Sequence, residues 1–147
     1  MEITIYVNRK KFDKDYLAAT DEYIKRTSPY CRVQLKSLSN QNKSISEKTD
    51  KTAIYAVVPG KETCSSTELA AQIQKLNLHG ISAIDYFICC DESDYKHLST
   101  IYKAVHNTNM PRICLSSFSL DEELTAVVLT EQIYRAYTIL NNITYHK

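Results

Sequence analysis

The stretch A-I-D-Y-F-I-C-C at residues 83–90 decides the fold class. Asp85 is its only charged residue, so the run is almost continuously apolar. A short apolar run rich in aromatic and β-branched residues is typical of a strand that is buried on both faces. Residues 53–58, A-I-Y-A-V-V, have the same character and end at Pro59-Gly60. Two such strands predict a mainly parallel sheet with helices on both faces.

Outward from these strands, the chain alternates between strand-like and helix-like patterns. Further strands are predicted at residues 3–7, 31–38 and 112–118, and helices at residues 13–27, 65–76, 94–106 and 119–140. Ser65 and Ser119 are each followed three residues later by a glutamate, which is the spacing of a capping box at a helix start. Residues 39–51 are polar and predict a loop. With no linker or repeat, residues 1–147 form one predicted α/β domain.

The charge balance excludes a protein that binds nucleic acid through bulk charge. Lys and Arg together number 18 and Asp and Glu 17, for a net charge of +1. Nucleic-acid binding of that kind needs a strongly basic surface, so any RNA contact must come from a local patch or from docking on a larger assembly. The absence of a long apolar run and of a signal-like start predicts a cytoplasmic protein that does not bind membranes.

The five cysteines predict neither a disulfide framework nor a metal site. Their number is odd, and no C-x-x-C pair is present. Most of them lie in or beside apolar stretches, where a free cysteine behaves as a small buried apolar residue. We therefore expect reduced thiols and no bound metal.

The most specific motif lies near the chain end. Residues 131–137 read E-Q-I-Y-R-A-Y, and the chain finishes with Tyr145-His146-Lys147. A helix of this type that runs to a terminal Tyr-His-basic triplet resembles the C-terminus of the ribosomal RNA large-subunit methyltransferase H family. The resemblance continues through V-P-G-K at residues 58–61 and into the first strand and helix, and it covers nearly the whole chain.

This resemblance implies a fold, an activity and a set of site residues. The fold would be a SPOUT-type α/β knot, with a C-terminal trefoil knot in which the last helix passes through the loop near residues 91–94, assembled as a homodimer. The activity would be methyl transfer from S-adenosylmethionine to N3 of a pseudouridine in 23S rRNA, with the ribosome or its large-subunit RNA as partner. Tyr145 and His146 would be catalytic and Lys147 would bind RNA. The cofactor would be bound by Ala56, Cys89, Cys90, Leu115, Ser116, Ser117, Phe118, Ser119 and Leu120, with Gly60 nearby.

The chain departs from the family at the cofactor loop. Residues 88–93, I-C-C-D-E-S, stand where the family has [IV]-G-G-x-x-G, and Glu122 and Ala126 stand where it has His and Arg. Glycines allow a ligand to approach the main chain closely, whereas these residues add Cβ atoms. Asp91 and Glu92 also add two carboxylates that could face the methionyl carboxylate. We therefore expect S-adenosylmethionine to bind with a dissociation constant weaker than about 100 µM.

The sequence leaves two functions open. One is an rRNA methyltransferase with an unusual cofactor loop; the other is a catalytically inactive homologue that binds RNA, the ribosome or a protein as a dimer. The spacing of Glu131 and Arg135 predicts an ion pair within the last helix. The apolar residues of the same helix exceed what one core face needs and predict the dimer interface, at Leu124, Val127, Val128, Ile133, Tyr134 and Tyr137.

Overall fold

A five-stranded parallel sheet forms the centre of the protein. The computed structural model describes residues 1–37, 45 and 49–147, so most of the predicted loop at 39–51 lies outside the described residues. The strands are β1 (Glu2–Val7), β2 (Arg32–Ser37), β3 (Thr52–Val57), β4 (Ala83–Ile88) and β5 (Arg112–Ile113). They are arranged in the order β2-β1-β4-β3-β5, and every neighbouring pair is parallel. The predicted parallel sheet is confirmed.

Helices cover both faces of this sheet. Those of the described residues are α1 (Lys14–Thr27), α2 (Ser66–Leu78), α3 (Glu92–His106) and α4 (Glu122–Leu140). On one face, α4 contacts both α1 and α2, and its Leu129 and Ile133 are fully buried in the larger core cluster. On the other face, Leu98 and Tyr102 of α3 join the second core cluster. None of the helices in the described ranges is long and apolar enough to cross a bilayer.

The two predicted capping boxes have different outcomes. Ser65 forms the box: its side chain accepts from the Glu68 backbone N–H, and the Glu68 carboxylate accepts from the Ser65 N–H. The prediction at Ser119 is wrong, because α4 begins two residues later and Asp121 is its N-cap. Aspartate and serine are equally good N-caps, so the spacing alone could not choose between them. The Ser119 hydroxyl instead donates to the carbonyl oxygen of Cys90 over 3.0 Å.

The predicted strand at residues 112–118 is also mostly wrong. Only Arg112 and Ile113 pair with β3. The last bond in register runs from the Val58 N–H to the Ile113 carbonyl, over 3.0 Å. The next donor on this edge, the Gly60 N–H, reaches the Ser116 carbonyl, one residue beyond the position that a regular ladder would give. Residues 114–120 therefore form an irregular loop beside the Pro59-Gly60 turn.

The predicted dimer face needs a correction within α4. Ile133 is fully buried and Tyr137 is 8% exposed, so both belong to the core of the protomer and offer almost no surface to a partner. The other four predicted interface residues are partly exposed, namely Leu124, Val127, Val128 and Tyr134.

Candidate functional site

A small cleft lies where the carboxyl ends of β3, β4 and β5 meet. Parallel sheets bind ligands at this edge because their loops converge there. The cleft has a volume of about 20 Å³, and five of the nine predicted cofactor residues line it: Cys89, Leu115, Ser116, Phe118 and Leu120. The sequence did not point to its remaining lining residues, which are Val57, Val58, Pro59 and Thr125.

The other four predicted cofactor residues lie around the cleft and do not line it. Ala56 is fully buried in the second core cluster. Cys90 and Ser119 form the hydrogen bond that joins the loop after β4 to the loop before α4. Ser117 is exposed. The structure therefore brings the two loops together but leaves little space between them.

Main-chain hydrogen bonds hold the walls of the cleft. The Gly60 N–H donates to the Ser116 carbonyl over 3.2 Å, and the Cys64 N–H donates to the Cys114 carbonyl over 2.7 Å. A Cβ atom at position 60 would lie 2.7 Å from the Cys114 sulfur, so the Cys114 side chain would have to move to admit one. The two N–H groups are engaged within the protein and cannot donate to a ligand in this arrangement, whereas each carbonyl oxygen keeps a second lone pair.

The turn after β4 replaces the family's glycine loop with a capped helix start. Asp91 is the N-cap of α3, and its carboxylate accepts from the Asp94 N–H over 2.9 Å. Asp94 in turn accepts from the Cys90 N–H over 3.0 Å. Glu92 forms an ion pair with Arg112 at 2.5 Å. The two acids expected to face the methionyl carboxylate therefore have other partners.

The carboxylate that does lie beside the cleft belongs to Glu122. The Cys90 thiol donates to its Oε1 over 3.1 Å, and its Oε2 is buried with no hydrogen-bond partner among the described residues. Burial and this carboxylate raise the pKa of the Cys90 thiol to about 12, so the thiol stays protonated and remains a donor at neutral pH. We call the Cys90–Glu122 and Ser119–Cys90 hydrogen bonds the latch. Both bonds hold the loop after β4 against the start of α4, beside the cleft.

The C-terminal triplet is positioned by a chain reversal after α4. Asn142 adopts a left-handed conformation with φ of 55°. The Ile143 N–H donates to the Thr138 carbonyl and the Asn142 N–H to the Ile139 carbonyl, at 2.8 and 3.1 Å. This pair of bonds is a Schellman motif, which ends a helix and turns the chain back. The last three residues consequently return along α4.

Tyr145 packs onto α4 after this reversal. Its hydroxyl donates to Glu131 over 3.0 Å, and its ring makes an edge contact with Tyr134 at 4.8 Å between centroids. The Arg135 guanidinium lies 5.2 Å from the ring centroid and also forms the predicted ion pair with Glu131, at 2.7 Å. Burial, Tyr23 and Glu131 raise the pKa of Tyr145 to about 12, so its phenol is a donor at neutral pH and not a base.

His146 and Lys147 are exposed beyond this anchor. The His146 ring nitrogen Nδ1 lies 3.5 Å from the Arg135 guanidinium. Glu131 lies about 9 Å further along the helix than the cleft residue Thr125, at 1.5 Å per residue. The returning chain end therefore contacts a part of α4 that is C-terminal to the part that lines the cleft.

Comparison with known proteins identifies the family of the chain. A family profile described as a predicted SPOUT methyltransferase matches residues 1–146. A "Ribosomal RNA large subunit methyltransferase H 1" of Thermoanaerobacter sp. (strain X514) is 29% identical over 147 residues, which is the whole of both chains. Proteins named "Ribosomal RNA large subunit methyltransferase H" from Limosilactobacillus reuteri (strain DSM 20016) and Lactiplantibacillus plantarum are 32% and 33% identical, again over both whole chains. With the profile and these relatives matching almost from end to end, the chain belongs to the SPOUT methyltransferase family.

Proposed function

We propose that this chain acts on large-subunit ribosomal RNA as a methyltransferase with weak cofactor binding. The reaction is methyl transfer from S-adenosylmethionine to N3 of a pseudouridine in 23S rRNA, in the cytoplasm. The observation that carries the proposal is the family match over residues 1–146, which includes both cleft loops and the first two residues of the C-terminal triplet. The names of the relatives support the choice of RNA.

The cleft does not fit the cofactor in the conformation described. A cavity of about 20 Å³ has room for roughly one water molecule, whereas pockets for small molecules and cofactors usually enclose about 300 Å³ or more. Entry of a nucleoside requires the latch to break, which removes two hydrogen bonds of about 1 kcal/mol each. When only a small fraction of the protein is in the open state that can bind, the observed affinity is reduced by that fraction. This is the physical reason for a dissociation constant weaker than about 100 µM.

The groups of the chain that remain for RNA recognition lie at its C-terminus. Lys147 can pair with a phosphate, and the exposed His146 ring can donate to or accept from the nucleotide. Tyr145 is already occupied by Glu131 and Arg135. We therefore assign contact with the RNA to His146 and Lys147.

A homodimer and a knot complete this proposal. The partly exposed apolar residues of α4, Leu124, Val127 and Val128, offer a surface for a second copy. The bonds from Ser119 and Glu122 to Cys90 hold the start of α4 against the loop through which the helix would pass. Both features are implied by the family.

The latch favours a second candidate function. A protein that binds the RNA, the ribosome or another protein as a dimer, without transferring a methyl group, would keep the fold and the C-terminal triplet while its cleft stayed closed. Loss of the loop glycines together with the family's His and Arg is consistent with this role. The two candidates make different predictions at high cofactor concentration.

Methylation of large ribosomal subunits that lack the pseudouridine methyl group tests the proposal. We expect slow formation of N3-methylpseudouridine, detected by mass spectrometry of the digested RNA, with a rate that still rises between about 0.1 and 1 mM S-adenosylmethionine. A His146→Ala variant should reduce this rate. No methylation at 1 mM cofactor, with RNA binding retained, would select the second candidate. Absence of both methylation and RNA binding would contradict the methyltransferase and every form of the second candidate that binds RNA or the ribosome.

A further inference from the structure

The E-Q-I-Y-R-A motif at residues 131–136 has a role that its place in a helix does not explain. Its small and aliphatic members, Ile133 and Ala136, are fully buried and pack in the core. Its other members are only partly buried and surround the returning chain end: Glu131, Gln132, Tyr134 and Arg135. One face of the motif thus packs in the core. The other face lies toward the C-terminal tail, residues 143–147.

Glu131 lies at the centre of this second face. Its carboxylate accepts from the Tyr145 hydroxyl at 3.0 Å, from Arg135 at 2.7 and 3.0 Å, and from the Gln132 amide at 2.6 Å. Gln132 in turn accepts from the hydroxyl of Ser66 at 2.6 Å, which connects the network to the first turn of α2. The Glu131 side chain is 16% exposed, so its bonds are partly shielded from water. Hydrogen bonds to a carboxylate in such a setting are stronger than those between neutral groups.

We propose that Glu131 is a positioning residue that anchors the C-terminal tail through Tyr145 and thereby holds His146 and Lys147 in place. Tyr145 is the anchor of the tail and not a catalytic group. The last residues of a chain normally fray unless they are tied down, and Tyr145 provides the close attachment here, because the exposed His146 reaches Arg135 only at 3.5 Å. The anchoring is a property of the protein alone, while the use of His146 and Lys147 on RNA rests on the proposed function.

Two variants at position 131 distinguish anchoring through the carboxylate oxygens from a general effect on the structure. Glu131→Ala removes every acceptor at this position, so Tyr145 loses its carboxylate partner and Arg135 is free to turn to solvent. Glu131→Gln keeps one carbonyl oxygen for the Tyr145 hydroxyl and should partly restore the anchor. Glu22→Ala is the matched control, because Glu22 forms the same type of ion pair with Arg26, at 2.8 Å, on another helix.

Heteronuclear ¹⁵N NOE values at the amides of His146 and Lys147 report the mobility of the tail directly. We expect values typical of ordered backbone in the native protein and in Glu22→Ala, a large drop in Glu131→Ala, and an intermediate value in Glu131→Gln. Tyr145→Phe, which keeps the ring and loses the hydroxyl, should resemble Glu131→Gln. Unchanged NOE values in a folded Glu131→Ala protein would overturn the proposal.

Binding of the same variants to large-subunit rRNA tests the proposed function separately. If the tail contacts RNA, Glu131→Ala should weaken binding by about threefold to tenfold, with Glu131→Gln in between. A mobile tail with unchanged RNA affinity would support the anchor and contradict the proposed role of His146 and Lys147. A rigid tail in Glu131→Ala would overturn the anchor whatever the RNA affinity.

Discussion

Replacing Cys90 by glycine and Glu122 by glutamine is expected to tighten the binding of S-adenosylmethionine by at least about tenfold. The change removes both the thiol that donates to Glu122 and the Cβ atom at a position where the family has glycine. It also removes a negative charge near the expected site of the methionyl carboxylate, where repulsion amounts to about 1–4 kcal/mol. Isothermal titration of the two proteins at the same ionic strength measures the difference.

The structure explains why the other loop positions are left unchanged in this variant. Cys89 is 3% exposed within the second core cluster, so glycine there would leave a cavity. Asp91 caps α3, and Ser93 lies in its first turn. The matched control carries Glu22→Gln, which removes one charge from an exposed position on α1, away from the cleft, and should leave the affinity unchanged. An equal gain in this control, or no gain in Cys90→Gly/Glu122→Gln, would contradict the latch.

Leu129→Ala is expected to lower the free energy of unfolding by about 3 kcal/mol, within the usual range of about 2–5 kcal/mol for a buried leucine. Leu129 is fully buried at the middle of α4, where that helix packs on the larger core cluster. Neighbouring helices and the sheet limit how far the cavity can collapse. Urea denaturation under reversible conditions measures the loss.

Leu78→Ala is the control for this prediction. Leu78 is the last residue of α2 and is 79% exposed, so the same chemical change there should alter the stability by less than about 0.5 kcal/mol. Similar losses at positions 78 and 129 would contradict the assignment of α4 to the core of the protomer.

The elements that the sequence predicted well are those whose signals are local. Alternating apolar strands and helices gave the parallel sheet, and Ser65 with Glu68 gave the start of α2. Signals that depend on a distant partner were misread. Residues 114–118 resemble a strand, but β3, the strand that they would pair with, ends at Val57. Ser119 has the spacing of an N-cap, although Asp121 is the N-cap.

The candidate site also combines features that a local pattern predicts with contacts between distant residues that no such pattern predicts. The resemblance located the cleft, and Cys89 with four residues of the 115–120 loop does line it. Pairing of Cys90 with Glu122 joins residues that are 32 positions apart, and no local pattern predicts such a contact. The spacing of Glu131 and Arg135 correctly predicted their ion pair, but the attachment of Tyr145 to the same carboxylate depends on the reversal at Asn142.

Calorimetric titration of the native protein with S-adenosylmethionine tests the central claim, which is that the latch and the Glu122 carboxylate weaken cofactor binding. A parallel titration with S-adenosylhomocysteine, which lacks the sulfonium charge, shows whether this carboxylate attracts the cofactor. We predict dissociation constants weaker than about 100 µM for both compounds. Binding of S-adenosylmethionine in the low micromolar range would contradict the account, because it would show that the latch opens at little cost.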